Sequence, residues 1–315
     1  MHVIVAGSGE LGGGVLAALL GSGHVVAGLL QNGRTVRGAA RAWAALERGL
    51  LGAPIDPLRL AARRRVPVVW VDKQDAAELD VIRALRPDLI ITCGFSIILH
   101  APLLAVPSAG CVNVHSSLLP KHRGPNPFSR VILAGERETG VTWHVTVPDI
   151  DSGDILEQRA FPVGPRDTVY AVYERACAIA SANTSAVVDR IERDGLAGRV
   201  QPRDGATYEP KLSDEELRIR WERSAEEIDR LIRAGHPFAD PYFVHRARRI
   251  RVIKAAPIAL GRFATPGTVL EVGRSVAVAT GEGAIRIETA YGGPKSWPLR
   301  WPGLVLGPRI GEVLE

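Results

Sequence analysis

MHVIVAGSGELGGGVLAALLGSGHVVAGLL, residues 1–30, decides the fold class. Val3-Ile4-Val5-Ala6 is a short apolar, β-branched run suited to a buried strand, and Gly7-Ser8-Gly9-Glu10-Leu11-Gly12 turns the chain into a helix-like stretch. Gly21-Ser22-Gly23-His24 ends that stretch, and Val25-Val26-Ala27-Gly28-Leu29-Leu30 resumes an extended run. Strand, helix and strand in this order form the seed of a parallel sheet wrapped by helices. No residue from Leu11 to Gly33 is formally charged, which is long enough to raise a membrane span, but the Gly-Ser-Gly-His break divides it. No transmembrane segment is expected.

The same alternation continues outward. Val66-Pro67-Val68-Val69-Trp70-Val71, Leu89-Ile90-Ile91-Thr92 and Val112-Asn113-Val114-His115 read as strands, while Ala76 to Leu85 and Thr168 to Arg193 carry apolar residues at helical spacing. The expectation is an α/β fold with a Rossmann-like, mostly parallel sheet. From Gly195 to Ser213 the pattern lapses into Gly, Pro, Arg and Asp, which reads as a linker. A boundary near 205 divides the chain into a catalytic domain, 1–204, and a smaller domain, 205–315. In the second, Ser224-Ala225-Glu226-Glu227 opens a helix as a capping box would, and Gly235-His236-Pro237 closes it. Short strands at Arg249–Lys254, Thr268–Val272, Ser275–Thr280 and Ala284–Thr289 then suggest a small OB-like β-barrel.

A length of 315 residues suits two domains, and 46% hydrophobic with 23% charged residues excludes a mainly disordered chain. Cys93, Cys111 and Cys177 are too few and too scattered for a disulfide framework, and none forms a CxxC pair. The start has no basic region or cleavage site of a signal peptide, so a cytoplasmic location is expected. The net charge of +5 favours an anionic partner such as tRNA, a phosphorylated sugar or a polyglutamyl cofactor. Arginines are dispersed except for Arg246, Arg248, Arg249, Arg251 and Lys254, which read either as phosphate contacts or as a solvated strand face. Trp297 and Trp301 read as barrel or interdomain packing in preference to base-stacking platforms, and no His, Cys or carboxylate spacing implies a metal. Asn32 to Pro54, with Arg34, Arg37, Arg41 and Arg48, is long for a connection and reads as a surface insertion.

Gly7 to Gly12 matches a dinucleotide fingerprint in context, between a strand and a helix. The acidic ribose anchor about twenty positions on is missing, for that place reads Gln31-Asn32. A tight turn needs the same glycines, so a plain turn is favoured over a nicotinamide site, with anion contact at the helix N-terminus as a third reading.

Chemistry concentrates between Cys111 and Leu156. The two-residue strand period puts Asn113 and His115 on one face, at the carboxyl end of the sheet, where polar side chains are costly unless paired or used. Pro148-Asp149-Ile150-Asp151-Ser152-Gly153-Asp154 is an acidic loop between strand-like runs. A carboxylate folded over His115 would orient and charge-stabilise it, and Asn113 would donate to an oxyanion, as acyl transfer requires. The alternative is a satisfied core histidine beside a strand-end cap. His144 shares a face with Thr142 and Thr146, so it either points toward the site or packs within its strand, and the packed reading is favoured.

Asn113-x-His115, Ser117-Leu118-Leu119-Pro120 with Arg123-Gly124, Thr139-Gly140-Val141-Thr142 and Asp151-x-Gly153-Asp154 together resemble the 10-formyltetrahydrofolate-dependent formyltransferases. In the second domain Arg218-Ile219-Arg220-Trp221, Pro266-Gly267-Thr268-Val269-Leu270 and Ala279-Thr280-Gly281-Glu282-Gly283 resemble that family's C-terminal barrel. The resemblance implies Asn113, His115 and Asp151 as the catalytic trio, and 10-formyltetrahydrofolate as formyl donor without a metal. It implies donor contacts at Phe95, Ser96, Ile98 and Leu99, at Ser117, Leu118, Leu119 and Pro120, and at Pro148, Asp149 and Ile150. It places Gly9, Glu10, Arg123 and Asn126 on the acceptor side. The resemblance implies a primary amine as acceptor; the two-domain layout favours charged initiator methionyl-tRNA, with a nucleotide-linked amino sugar or hydroxyornithine-type precursor as alternative, and neither DNA nor a membrane is expected as partner. His122-Arg123-Gly124-Pro125-Asn126-Pro127 stands where tRNA-acting members usually show Trp-Arg-Gly-Ala-Ala-Pro, and the Asn32–Pro54 segment where they carry a shorter lysine-rich insertion. A nicotinamide oxidoreductase or a non-catalytic folate- or RNA-binding module remain rivals.

Overall fold

The computed structural model describes residues 1–33, 55–259, 264–292 and 307–314. Most of the Asn32–Pro54 segment, and Trp297 and Trp301, lie outside the described residues. By their contacts the residues form two units: Met1–Gly124 with Glu138–Phe161 and Tyr173–Tyr208, and Pro125–Arg137 with Pro162–Val172 and Glu209–Glu315.

The first unit is built on seven strands: β1 (His2–Gly7), β2 (Val25–Asn32), β3 (Val68–Val71), β4 (Leu89–Cys93), β5 (Gly110–His115), β6 (Glu138–Val145) and β7 (Ile155–Pro162). Their order is β3-β2-β1-β4-β5-β6-β7. β1, β2, β3, β4 and β5 pair in parallel, whereas β6 runs antiparallel to β5. Val3, Ile4, Val5 and Ala6 of β1 and Leu89, Ile90 and Ile91 of β4 are buried, as in central parallel strands covered on both faces. The chain leaves β1 toward β2 and β3 and returns on its other side at β4, so the order reverses there, and the carboxyl ends beside such a reversal are where open α/β sheets bind ligands. Helices α1 (Gly9–Leu20), α2 (Pro57–Arg64), α3 (Ala76–Ala84) and α4 (Ala101–Leu104) make the connections. Asp56 and Asp75 start α2 and α3 by accepting from backbone N–H groups of the first turn.

The five strands expected in this half are present, and α3 and the long α6 (Val169–Asp194) coincide with the helical spacing. α2, α4 and α5 (Pro127–Leu133) were not anticipated; each is at most eight residues, too short to show a helical period. All three cysteines are free and buried. Burial pushes the Cys111 and Cys177 thiols up to about 12. No helix among the described residues is long and apolar enough to cross a membrane.

The second unit holds α7 (Ala225–Gly235) and an antiparallel sheet of β8 (Tyr242–His245), β9 (Arg248–Ile258), β10 (Val269–Val272), β11 (Val276–Ala279) and β12 (Ala284–Tyr291), ordered β10-β11-β12-β9-β8. Ser224 and Glu227 complete the expected capping box on α7. The long β9–β12 ladder shifts register twice, between Ile287 and Ala290, which coils the sheet into an OB-like half-barrel. Its interior is apolar, with Trp221 edge-on to Phe243 at 5.3 Å. α5 joins this unit because its buried Ser129 donates to the Ala234 carbonyl at 2.8 Å. The loop before α6 joins it through Arg166, 3.0 Å from the fully buried Asp229. In the basic cluster, Arg249 forks onto Asp214 at 2.7 and 2.8 Å and covers the Tyr242 ring, and Lys254 meets Glu288 at 2.7 Å.

Candidate active site

Three adjacent strands place polar side chains at one level of an otherwise apolar sheet. The register sets Thr92 of β4 and His144 of β6 on either side of Asn113 of β5, and His115 opposite Thr142. Thr92 Oγ1 donates to Asn113 Oδ1 at 2.8 Å, which fixes the carboxamide so that Nδ2 faces the site. That amide nitrogen lies 3.0 Å from Asp151 Oδ1 and 3.2 Å from His144 Nε2. His144 Nδ1 is 2.9 Å from the Val145 carbonyl and donates to it, leaving Nε2 to accept from Asn113.

Asp151 arrives from the loop between β6 and β7, which folds back over these strands. A Cβ on Gly153 would collide with the Val145 carbonyl, so only glycine permits the fold-back. Asp151 itself has φ +49°. Its Oδ2 accepts from the Gly124 N–H at 2.8 Å and stands 3.5 Å from His115 Nδ1. The other ring nitrogen, Nε2, donates to the His122 carbonyl at 2.8 Å. In that tautomer the free lone pair of His115 is on Nδ1, directly beside the carboxylate.

Burial pushes His115 below the ordinary imidazole range, and nearby His144 adds to this, outweighing the opposing pull of Asp151 and the His122 carbonyl. Burial alone would raise Asp151. Contacts with His144, His115 and the Gly124 N–H more than offset it and hold the carboxyl well below the usual carboxylate range. The arrangement is a neutral imidazole whose cation is stabilised by a fixed carboxylate, next to an oriented amide donor. Such a site can accept a proton from a nucleophile and steady an oxyanion.

The structure brings Asn113, His115 and Asp151 together. The remaining expected residues lie on separate segments of the chain. Phe95, Ser96, Ile98 and Leu99 lie on the loop after β4, where Ile98 is exposed, Leu99 is buried and Ser96 Oγ accepts from Asn32 at 2.7 Å. Buried Gln74 pins this loop by donating to the Ile98 carbonyl and accepting from the His100 N–H, both at 2.8 Å. Ser117 and Leu119 are interior; the Ser117 hydroxyl donates to the Lys121 carbonyl at 2.7 Å. Leu118 and Pro120 are half-buried, and Pro148, Asp149 and Ile150 are exposed. The Arg123 guanidinium is engaged with Gln201 Oε1 at 3.2 and 2.8 Å. Asn126 precedes α5 in the second unit.

The glycine-rich loop is explained by packing. A Cβ on Gly7 would stand 2.7 Å from Cys93 Sγ, one on Gly12 would stand 2.6 Å from the Gly7 carbonyl carbon, and Gly9 has φ +62°. The Leu11 N–H, one of the first-turn donors a pyrophosphate would use, is given to the Tyr173 hydroxyl at 3.2 Å. Glu10 is the acidic residue of that first turn. At the amino-terminal edge of the sheet, His24, Asp189 and Glu192 gather within ligand-like distance, with the Met1 amino group 2.8 Å from Glu192.

Thr92 and Gln201 are absent from the site expectations drawn from the sequence, and His144 stands there as packing favoured over a place in the site. The signals for Thr92 and His144 were a polar residue in an apolar strand and a shared face; Gln201 had none.

Residues 3–191 match the Formyl transferase family, and residues 211–295 match Formyl transferase, C-terminal domain. Among curated proteins, Methionyl-tRNA formyltransferase of Marinobacter nauticus is 33% identical over 293 residues, 92% of this chain and 91% of that protein. The protein of the same name from Dechloromonas aromatica is 33% identical over 303 residues, 95% of this chain and 94% of its own. Among solved structures, HypX from Aquifex aeolicus in complex with tetrahydrofolic acid shares the fold at TM-score 0.65 and 18% identity, over 96% of this chain and 46% of that one. An N-formyltransferase from Helicobacter canadensis, in complex with folinic acid and dTDP-3-aminofucose, does so at TM-score 0.65 and 18% identity, over 92% of this chain and 100% of its own.

Proposed function

Because the chain belongs to the formyl transferase family through both of its parts, we propose that it transfers the formyl group of 10-formyltetrahydrofolate to the α-amino group of charged initiator methionyl-tRNA. The single observation that carries formyl transfer is the convergence of Asn113 Nδ2 and His115 Nδ1 on the two oxygens of Asp151, at 3.0 and 3.5 Å. The acceptor assignment is supported by similarity to methionyl-tRNA formyltransferases over more than nine-tenths of both chains.

In this mechanism the acceptor amine attacks the formyl carbon and a C–N bond forms. The carbonyl oxygen becomes an oxyanion and recruits an Asn113 N–H that is otherwise given to Asp151 or His144. His115 Nδ1 takes the proton from the attacking nitrogen, and Asp151 Oδ2 stabilises the imidazolium. Collapse breaks the bond to N10 of the folate, which receives the proton from His115. Atoms balance without oxidant or metal.

The donor would lie against Phe95–Leu99, Ser117–Pro120 and Pro148–Ile150, where exposed Ile98 and Ile150 offer apolar surface to a flat ring. Gly9, Glu10 and Asn126 would face the acceptor, while Arg123 serves through Gln201. Residues 1–204 would act as the catalytic domain and 205–315 as the barrel domain, in the cytoplasm, where charged tRNA is found. One feature favours a second reading, a nucleotide-linked amino sugar or another small amine: His122-Arg123-Gly124-Pro125-Asn126-Pro127 departs from the pattern usual in tRNA-acting members.

The test is tetrahydrofolate release from 10-formyltetrahydrofolate with methionyl-tRNA, a nucleotide amino sugar and hydroxyornithine offered in parallel. Release with charged tRNA is expected. Release with a small amine alone would overturn the acceptor, and none with any would overturn the function.

A further inference from the structure

The segment that follows α6, patternless in sequence, is hydrogen-bonded to both loops that frame the site. Arg199 exchanges backbone bonds with Ile155 at 2.8 and 2.9 Å. The Thr207 carbonyl accepts from the Arg123 N–H at 2.9 Å, and its hydroxyl accepts from the His122 N–H at 2.8 Å. Between these anchors lies buried Gln201. Its Nε2 donates to the carbonyls of Asp151 and Gly153 at 2.8 and 2.7 Å. Its Oε1 accepts from Arg123 Nε and Nη2 at 3.2 and 2.8 Å. Two donors and two lone pairs are the whole capacity of a carboxamide, so all of it is committed to this junction.

The carbonyls it holds belong to the turn that presents Asp151, whose φ of +49° lies in the left-handed region, uncommon for a residue with a side chain although aspartate enters it more readily than most. Arg123 sits between the two residues that hold the trio from the other side. His122 accepts from His115 Nε2 through its carbonyl, and Gly124 donates its N–H to Asp151 Oδ2. One side chain therefore ties the turn carrying the carboxylate to the turn that orients both the carboxylate and the imidazole.

Building on the formyltransferase reading above, we propose that Gln201 is a positioning residue. It sets the backbone of Asp151, and through Arg123 it locks that setting to the His122–Gly124 turn. The segment leading out of the catalytic domain is thereby part of the site and not only a tether. A displacement of the carboxylate by about 1 Å costs on the order of a hundredfold in rate while leaving the surfaces that bind substrate in place.

The experiment uses the full chain and tetrahydrofolate release at saturating donor and acceptor. Gln201→Met keeps the length and removes every polar contact; Gln201→Glu keeps the acceptor for Arg123 and removes both donors. Each is expected to lower kcat about 10- to 100-fold, with KM for both substrates within about twofold and the thermal transition retained. Adding Arg123→Met to Gln201→Met is expected to cost little more, because the two act as one unit. A folded variant with kcat within twofold of wild type overturns the proposal, as does a change confined to KM. Loss of the folded state in both variants also overturns it, since Gln201 would then hold the fold and not the site. Absence of formyl transfer by the wild-type chain refutes the function itself, and this inference with it.

Discussion

Asp151→Asn removes one charge without changing shape, and the structure gives the size of the effect. The carboxylate stands 3.5 Å from His115 Nδ1, and both side chains are close to nine-tenths buried. At an effective dielectric of about 20, unit charges at that separation attract by about 5 kcal/mol. That attraction exists only when His115 carries the proton, so it lowers the energy of the proton-transfer transition state and not of the resting enzyme. Allowing for the partial charge developed there, its loss is worth about two to three orders of magnitude in kcat. The new amide also has no good orientation. Gly124 N–H points at one oxygen and Asn113 Nδ2 at the other, so either flip sets an NH2 against a donor. This adds about 1–3 kcal/mol of local destabilisation. The assay is tetrahydrofolate release at saturating substrates and mildly alkaline pH, with circular dichroism and a thermal melt as controls. A folded Asp151→Asn enzyme with kcat within about tenfold of wild type would refute the charge-stabilisation argument.

His115 has its folded pKa below its unfolded value of about 6.5, so folding excludes a proton; stability is complete above that pH and is lost as pH falls toward the folded value, with a slope of up to about 1.4 kcal/mol per pH unit. Asp151 contributes in its own window, above about pH 3.9, so melts of wild type and His115→Gln between pH 7 and 5 should diverge, the variant being flatter, and parallel curves would contradict the shift. Gly153→Ala places a methyl group against the Val145 carbonyl and should cost about 1–3 kcal/mol with a large loss of activity, because the Asp151 turn must move; an active, equally stable variant would mean the loop has slack. If the acceptor is tRNA, its KM should rise steeply with salt, by about an order of magnitude or more between 50 and 200 mM, whereas a flat response points to a small amine with few phosphate contacts.

Asn113 and His115 were legible because a period of two makes faces visible, and two polar residues in a run of valines stand out. Asp151 was legible as part of an acidic loop, and the reason for Gly153 emerged only with the fold-back onto Val145. His144 shows where such reading stops. Its face was evident, but its approach to Asn113 follows from the antiparallel register of β5 and β6, a long-range pairing that no local pattern encodes. Gln201 offered no sign at all, since a residue whose partners are main-chain carbonyls and one arginine needs no special neighbours in sequence. The second unit's core was read from its capping box and short strands, but β8, four residues between Pro241 and Arg246, is too brief to show a period. Nor does the apolar stretch Phe128, Val131 and Ile132 of α5 say which core it enters.

Thr92, Asn113 and His144 form a line perpendicular to the chain, joined by ladders rather than by succession, although 21 and 31 positions separate its neighbours. Insertions or deletions in the connections between these strands leave the line intact, and the chemistry survives them wherever they spare the Phe95–Leu99 loop and the His122–Gly124 turn. A single residue removed from the start of β5 does the opposite. It changes the frame, turns Asn113 and His115 to the far side of the sheet, and dismantles the site without touching any of its members.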